Sequence, residues 1–240
     1  MSITPEQAAH EMRDAIVSVP ARVMTEPKNY AHGAELGFEG MDFYVAGRGG
    51  VLGDVPADVV TAALVFFEPN SIRTAWERSA AVMTRRQAAE AWAGAFYSWA
   101  RENLPEDRDW AMCTDALGRV IEAAPVACAP IFAGWRDLPA PDDLRALAIH
   151  QLNALRELRG ALHGAAVLTV GLLPVEAIAV RTPKMIGVFG WPDEEIDPEP
   201  LHQRWGLAEA RTDRMFGRNL AVLDADERVA LVELLGTLAP

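Results

Sequence analysis

Apolar residues recur along this chain at spacings of three and four, the period of helices that bury one face. Helix starts punctuate the pattern. Thr4-Pro5-Glu6-Gln7 joins an N-cap, a proline at the first helical position and a capping-box glutamine. Pro56 predicts an apolar helix over Val59 to Phe67 that Pro69 stops, after which Asn70 caps a short helix carrying Ile72 and Trp76. Thr84 and Gln87 repeat the capping pattern ahead of Trp92, Phe96 and Trp99, and that helix ends near Pro105. Further helices are predicted over Trp110 to Glu122, Pro141 to Val170 and Pro174 to Val180. Asp224 and Glu227 open the last one, in which Val229, Val232 and Leu235 share a face. Strand signals are scarce: no Asn-Gly or Asp-Gly turn separates alternating apolar runs, and Met185 to Phe189 is the best β-prone stretch. Residues 192–200, with three prolines and five acidic residues, predict a loop. The expected fold is all-α: a multi-helix bundle around a long central helix at about 141–170.

That central helix concentrates the polar chemistry. At about 100° per residue, Leu144, Leu147, Leu155, Leu158 and Leu162 form a core stripe. His150, Asn153, Ala154, Glu157, Gly160, Ala161 and Gly164 form a second face of polar groups among small residues, suited to a ligand or to a closely packed helix. His150 and Glu157 stand two turns apart, roughly 10 Å along the axis, so they reach into one pocket without touching. Arg156, Arg159 and His163 point to a third side. With no purely solvated face, the helix is expected at the centre of the bundle. Each group also has a simpler reading: His150 as a hydrogen-bonded core residue, and Arg156, Glu157 and Arg159 as ion pairs.

Composition narrows the choices. The chain of 240 residues has a formal net charge of −12, which opposes a phosphate backbone and argues against a nucleic-acid partner. Of the 22 basic residues only Lys28 and Lys184 are lysines. Cys113 and Cys128 are the only cysteines, read as reduced apolar fillers rather than a disulfide. No signal peptide or spanning apolar run is visible, so a cytoplasmic protein without a membrane partner is expected. No His-x-x-x-His or Cys-x-x-Cys spacing supports a metal, and no motif names a cofactor. Gly47-Arg48-Gly49-Gly50 follows Phe43-Tyr44-Val45-Ala46; its glycines read as a helix C-cap at positive φ, or alternatively as an anion-binding nest beside Arg48. The seven tryptophans are spread too widely for an aromatic box and are expected in the core.

Several segments, taken in order, resemble the actinobacterial SalK-like family. They are Tyr44-Val45-Ala46-Gly47-Arg48, Leu52-Gly53, Pro56 to Ala62, Phe66-Phe67-Glu68-Pro69 with Trp76, Leu155 to Gly160 with His163, and Glu209-Ala210-Arg211-Thr212-Asp213. The resemblance implies a helical protein with a helix-turn-helix-type domain, often encoded near specialised-metabolite pathways. Relatives carry histidine, aspartate and glycine where this chain has Leu158, Ala161 and Leu162, which alters any site that used them. Relatives also place a helix-turn-helix and wing between a Gly-Trp pair like Gly190-Trp191 and the segment like Glu209 to Asp213. About 17 residues are too few for both here. The resemblance therefore implies a helical core over 1–185 and a degenerate, reduced helix-turn-helix-like segment over 186–240 packed upon it. Two functions follow. One is a small-molecule-binding protein or enzyme of bacterial specialised metabolism, with His150, Glu157 and His163 as catalytic candidates and Tyr44, Arg48, Asn153, Arg156 and Arg159 as ligand contacts. The other is a regulator or partner-binding module. A homodimer suits either.

Overall fold

The computed structural model describes residues 3–239, and among them it forms twelve α-helices and no strand. The first, α1 (Pro5–Thr25), begins as the sequence predicts: the Gln7 N–H donates to the Thr4 hydroxyl, and the Gln7 side chain accepts from the Thr4 N–H. Met12, Ile16, Val19 and Val23 are buried along its inner face. Then come α2 (Pro27–Glu35), α3 (Asp42–Gly49), α4 (Ala57–Ala63), α5 (Pro69–Ser79) and α6 (Arg85–Asn103). The second half holds α7 (Trp110–Ala123), α8 (Pro130–Arg136), α9 (Leu144–Thr169), α10 (Pro174–Arg181), α11 (His202–Gly217) and α12 (Ala225–Gly236). The capping boxes predicted at Thr84 and Asp224 are formed.

Four local expectations are corrected. The apolar helix after Pro56 stops at Ala63, because Leu64 leaves helical geometry at φ −95° and ψ 49°. Helix α5 is capped by Glu68, which accepts from the Ser71 N–H, with Pro69 rather than Asn70 opening the helix. Cys128 is exposed at φ 59°, so only the buried Cys113 is a filler. The glycines around Arg48 form no nest, and the C-cap they supply is not at positive φ: Gly47 and Gly49 lie within α3, and Gly50 caps it at a negative φ of −60°. Their use is close approach. A Cβ on Gly47 would stand 2.5 Å from the Trp92 Cβ, and one on Gly50 2.3 Å from the Arg85 carbonyl oxygen. Without side chains there, α3 and its 3-10 extension lie directly on α6.

Helix α9 is the hub. Asp143 caps it by accepting from the Ala146 N–H at 2.8 Å, and its 26 residues span about 39 Å. It packs against α1, α6, α7, α8, α10 and α11, which explains why His150, Asn153, Glu157, Arg159 and His163 are buried together with Leu152, Leu155 and Leu158, whereas Leu144, expected in the core stripe, is exposed at the helix start. Helix α11 lies on α9 and α1, and α12 on α1 and α7. Phe216, Leu220, Leu231 and Leu235 consequently belong to the same apolar cluster as Ile16, Trp92 and Leu155. Burying each of these four contributes about 1.5–3 kcal/mol. A smaller cluster of Val167, Leu172, Ala177 and Leu201 ties the end of α9 to α10 and α11. No single helix among the described residues is long and apolar enough to cross a membrane.

Candidate functional site

A cavity of about 570 Å³ lies beside α9, bounded by α1, α3, α11, the turn after α4 and the segment around Phe189. That volume fits a small organic ligand. Tyr44, Phe66, Phe67, Phe189 and Trp205 give it aromatic walls, and Arg13, Arg48, Arg156, Arg159 and Arg181 face Asp14, Glu157 and Glu209. Arginines thus outnumber carboxylates in the lining of a chain whose net charge is −12.

The expected pairing of His150 with Glu157 in one pocket does not hold. His150 does not line the cavity: its Nδ1 lies 2.8 Å from the Tyr97 hydroxyl, its ring stacks on Trp135, and its carbonyl accepts from the Trp135 indole N–H at 2.9 Å. Burial lowers its pKa to about 4. It is a core histidine with a satisfied ring nitrogen. Asn153 is fully buried away from the cavity, and neither of its side-chain polar atoms has a partner among the described residues. Arg156, Arg159 and His163, which the wheel sends to another side, are the ones that join Glu157 at the cavity. The physical reason is that α9 has no outer face: α6 and α8 cover His150, leaving the opening toward α1, α3 and α11.

One end of the cavity is built on an ion pair. Arg48 on α3 donates through Nε to Glu157 Oε1 at 3.0 Å and through Nη2 to Oε2 at 2.7 Å, a bidentate geometry that fixes both groups. Arg48 Nη1 also donates to the Tyr44 hydroxyl, and Arg156 Nη1 to Glu157 Oε1 at 3.1 Å. Burial acts to raise the Glu157 pKa, but Arg48 and then Arg156 outweigh it and hold the carboxyl below its ordinary range. Burial likewise acts to lower the Arg48 pKa, and Glu157 with Tyr44 reverses it, so the guanidinium stays charged. Glu157 is therefore an anion at neutral pH that positions two arginines, and a poor proton acceptor.

The other end is built between α9 and α11. Arg159 Nη2 donates to Glu209 Oε2 at 2.8 Å and to Asp213 Oδ1 at 3.1 Å. His163 Nδ1 lies 3.0 Å from the Thr212 hydroxyl, which itself donates to the Ala208 carbonyl at 2.8 Å. The His163 Nε2 has no hydrogen-bond partner among the described residues and lies 3.6 Å from Glu209 Oε1. Burial lowers the pKa of His163 to about 4, with Glu209, Arg159 and Asp213 contributing less, so the ring is neutral. Phe66 and Trp205 pack on it, their ring centres at 5.7 and 5.0 Å. Glu209, Thr212 and Trp205 were not among the expected site residues. The signal for the first two was present, since Glu209 and Thr212 are three apart on one helix face within the motif that resembled the family. Among the described residues no group of three or more His, Cys, Asp or Glu side chains converges to hold a metal.

Fold and site together define an all-helical protein with a cavity lined by charged and aromatic side chains. Its α9 and α10 are joined by the short turn 170–173, in which Gly171 takes φ 77°, and the chain bends there by 109°. Two helices meeting near that angle through a short glycine-containing turn have helix-turn-helix geometry. A family model described as a helix-turn-helix family matches residues 9–240, and the chain belongs to that family. No curated protein and no solved structure matches it.

Proposed function

We propose that this helix-turn-helix family member is a small-molecule-binding protein whose ligand lies in the cavity beside α9. One observation carries the reading: five arginines and five aromatic side chains surround about 570 Å³ in an acidic chain. Such a lining suits an organic anion with an aromatic or apolar body, the guanidinium groups supplying charge-assisted hydrogen bonds and the rings supplying contact area. The SalK-like resemblance adds a setting in actinobacterial specialised metabolism. If the protein is also an enzyme, proton transfer falls to His163, since His150 is outside the cavity and Glu157 is held as an anion by Arg48.

The second reading, a regulator or partner-binding module, draws on the family match and on the α9–α10 turn. Readout of DNA through that turn has little support from charge. Arg181 is the one basic residue of α10 and lines the cavity, while Pro174, Val175 and Glu176 offer phosphates no row of cations.

Native mass spectrometry of protein purified from its own host tests the first reading and counts the subunits, a homodimer being the expected assembly. A retained small-molecule mass is expected. Adding that compound at a hundred times its Kd should stabilise the fold by about 2.7 kcal/mol in thermal unfolding. Bare protein that no organic acid stabilises, together with binding of duplex DNA at low salt, would establish the second reading instead.

A further inference from the structure

The outer face of α11 and its C-cap carries a row of cations left unbalanced by the rest of the chain. Arg204, Arg211, Arg214 and Arg218 fall within about 80° of one another around the helix axis, over roughly 21 Å of its length. Arg204 donates to the Gly171 carbonyl at 2.6 Å and Arg211 to the Thr169 hydroxyl at 3.1 Å, both neutral oxygens at the end of α9. Arg214 and Arg218 are exposed and have neither an ion pair nor a side-chain hydrogen bond among the described residues. The carboxylates of α11, Glu209 and Asp213, lie on the opposite side, turned inward to Arg159 and Arg13. Leu207 sits within the row and is 50 % exposed, and Leu173, in the turn that Arg204 holds, is 61 % exposed. A complement to this row stands at the head of the same helix. Residues 193–199 lead into α11 and carry Asp193, Glu194, Glu195, Asp197 and Glu199, all exposed. Glu199 lies 3.7 Å from His202, while the other four form no ion pair among the described residues.

We propose that this face docks on the same face of a second copy of the chain, the two α11 helices running antiparallel about a two-fold axis near Leu207. Arg214 and Glu199 stand roughly 10–12 Å to either side of Leu207 along the helix, so antiparallel pairing brings the arginines of each copy to the acidic segment of the other. By symmetry every such contact is made twice. The two Leu207 side chains meet at the axis and leave water together. A nucleic acid would meet the same arginines, but the carboxylates at the head of the row repel its phosphates and Leu207 would stay exposed. A second copy satisfies the cations, the anions and the leucine at once. At about 0.15 M salt the Debye length is about 8 Å, so the net charge of −12 on each chain is screened across molecular distances while touching charges still pair. Docking here needs no ligand in the cavity, whose wall is the inner face of α11.

Sedimentation velocity of the full chain, from micromolar to millimolar concentration, should show a monomer–dimer equilibrium. Two charge-reversed chains test the contact: one carries Arg211→Glu, Arg214→Glu and Arg218→Glu, the other Glu194→Lys, Glu195→Lys and Glu199→Lys. All six positions are exposed, so neither set disturbs the core. Each variant alone should dimerise on the order of a hundredfold more weakly, because the repeated contacts turn from attraction to repulsion. An equimolar mixture of the two should dimerise about as well as the natural chain. The new glutamates then face the new lysines, and the natural arginines of one chain face the natural carboxylates of the other. A natural chain that stays monomeric throughout, a dimer that survives both reversals, or a mixture that stays monomeric overturns the proposal. Duplex DNA bound by a monomeric natural chain and lost on reversal of the three arginines overturns it too, and assigns the row to phosphates.

Discussion

His150 and His163 share a pKa of about 4 against an ordinary 6.5, yet they are used differently. His150 has Tyr97 for a partner, whereas the outer nitrogen of His163 has none. Both make stability depend on pH in the same direction. The unfolded chain takes up protons that the folded state refuses, so the contribution is complete above about pH 6.5 and is lost as the pH falls toward 4. At about 1.4 kcal/mol per pKa unit, the two histidines together withdraw on the order of 5 kcal/mol by the lower limit. Glu157, with its pKa lowered by Arg48 and Arg156, adds a loss only at more acidic pH. Urea unfolding at pH 7 and pH 5 should show a clear drop in stability, and His150→Gln should shrink it. A flat profile between those values would contradict the burial of the two rings.

Helices pack here by backbone approach as much as by side-chain interlock, and the glycines separate into two kinds. Gly50 faces the Arg85 carbonyl oxygen, whereas Gly94 in the middle of α6 has nothing within 4 Å of where a Cβ would stand. Gly50→Ala is expected to cost about 1–3 kcal/mol by forcing α3 off α6. Gly94→Ala should gain up to about 1 kcal/mol from helix propensity, and urea midpoints measure both. These contacts also explain which elements the sequence revealed. Capping boxes at Thr4, Thr84 and Asp224 are written in four consecutive residues, so the starts of α1, α6 and α12 were legible. Helices α2, α3 and α8 have no side-chain cap and are seven to nine residues long, too short to show a period. The run around Arg48 misled because a glycine needed for close approach looks, in sequence, the same as one needed for positive φ.

The C-terminal helices complete the core instead of forming an appendage, since Phe216, Leu220, Leu231 and Leu235 share one cluster with residues of α1 and α9. A fragment of residues 1–185 is therefore predicted to lack cooperative thermal unfolding, while the full chain melts in a single transition followed by circular dichroism. The same interleaving hid the site. A helical wheel orders the side chains of α9 around its axis but does not show what covers each sector, and Glu157 meets Arg48 across 109 positions of sequence. Arginines 156 and 159 and His163 were recognised as chemistry; their meeting place was set by α3 and α11. One wall of that meeting place is attached lightly. The Trp191 indole N–H donates to the Phe66 carbonyl at 2.9 Å, the Glu68 N–H donates to the Phe189 carbonyl at 2.8 Å, the Phe67 and Phe189 rings touch, and Gly190 lies close against Ser71 at the start of α5. A wall held by so few ties opens without disturbing the bundle. For the ligand proposed above, the rate of release would then be set by how often residues 185–191 lift, a clock separate from the grip of the arginines.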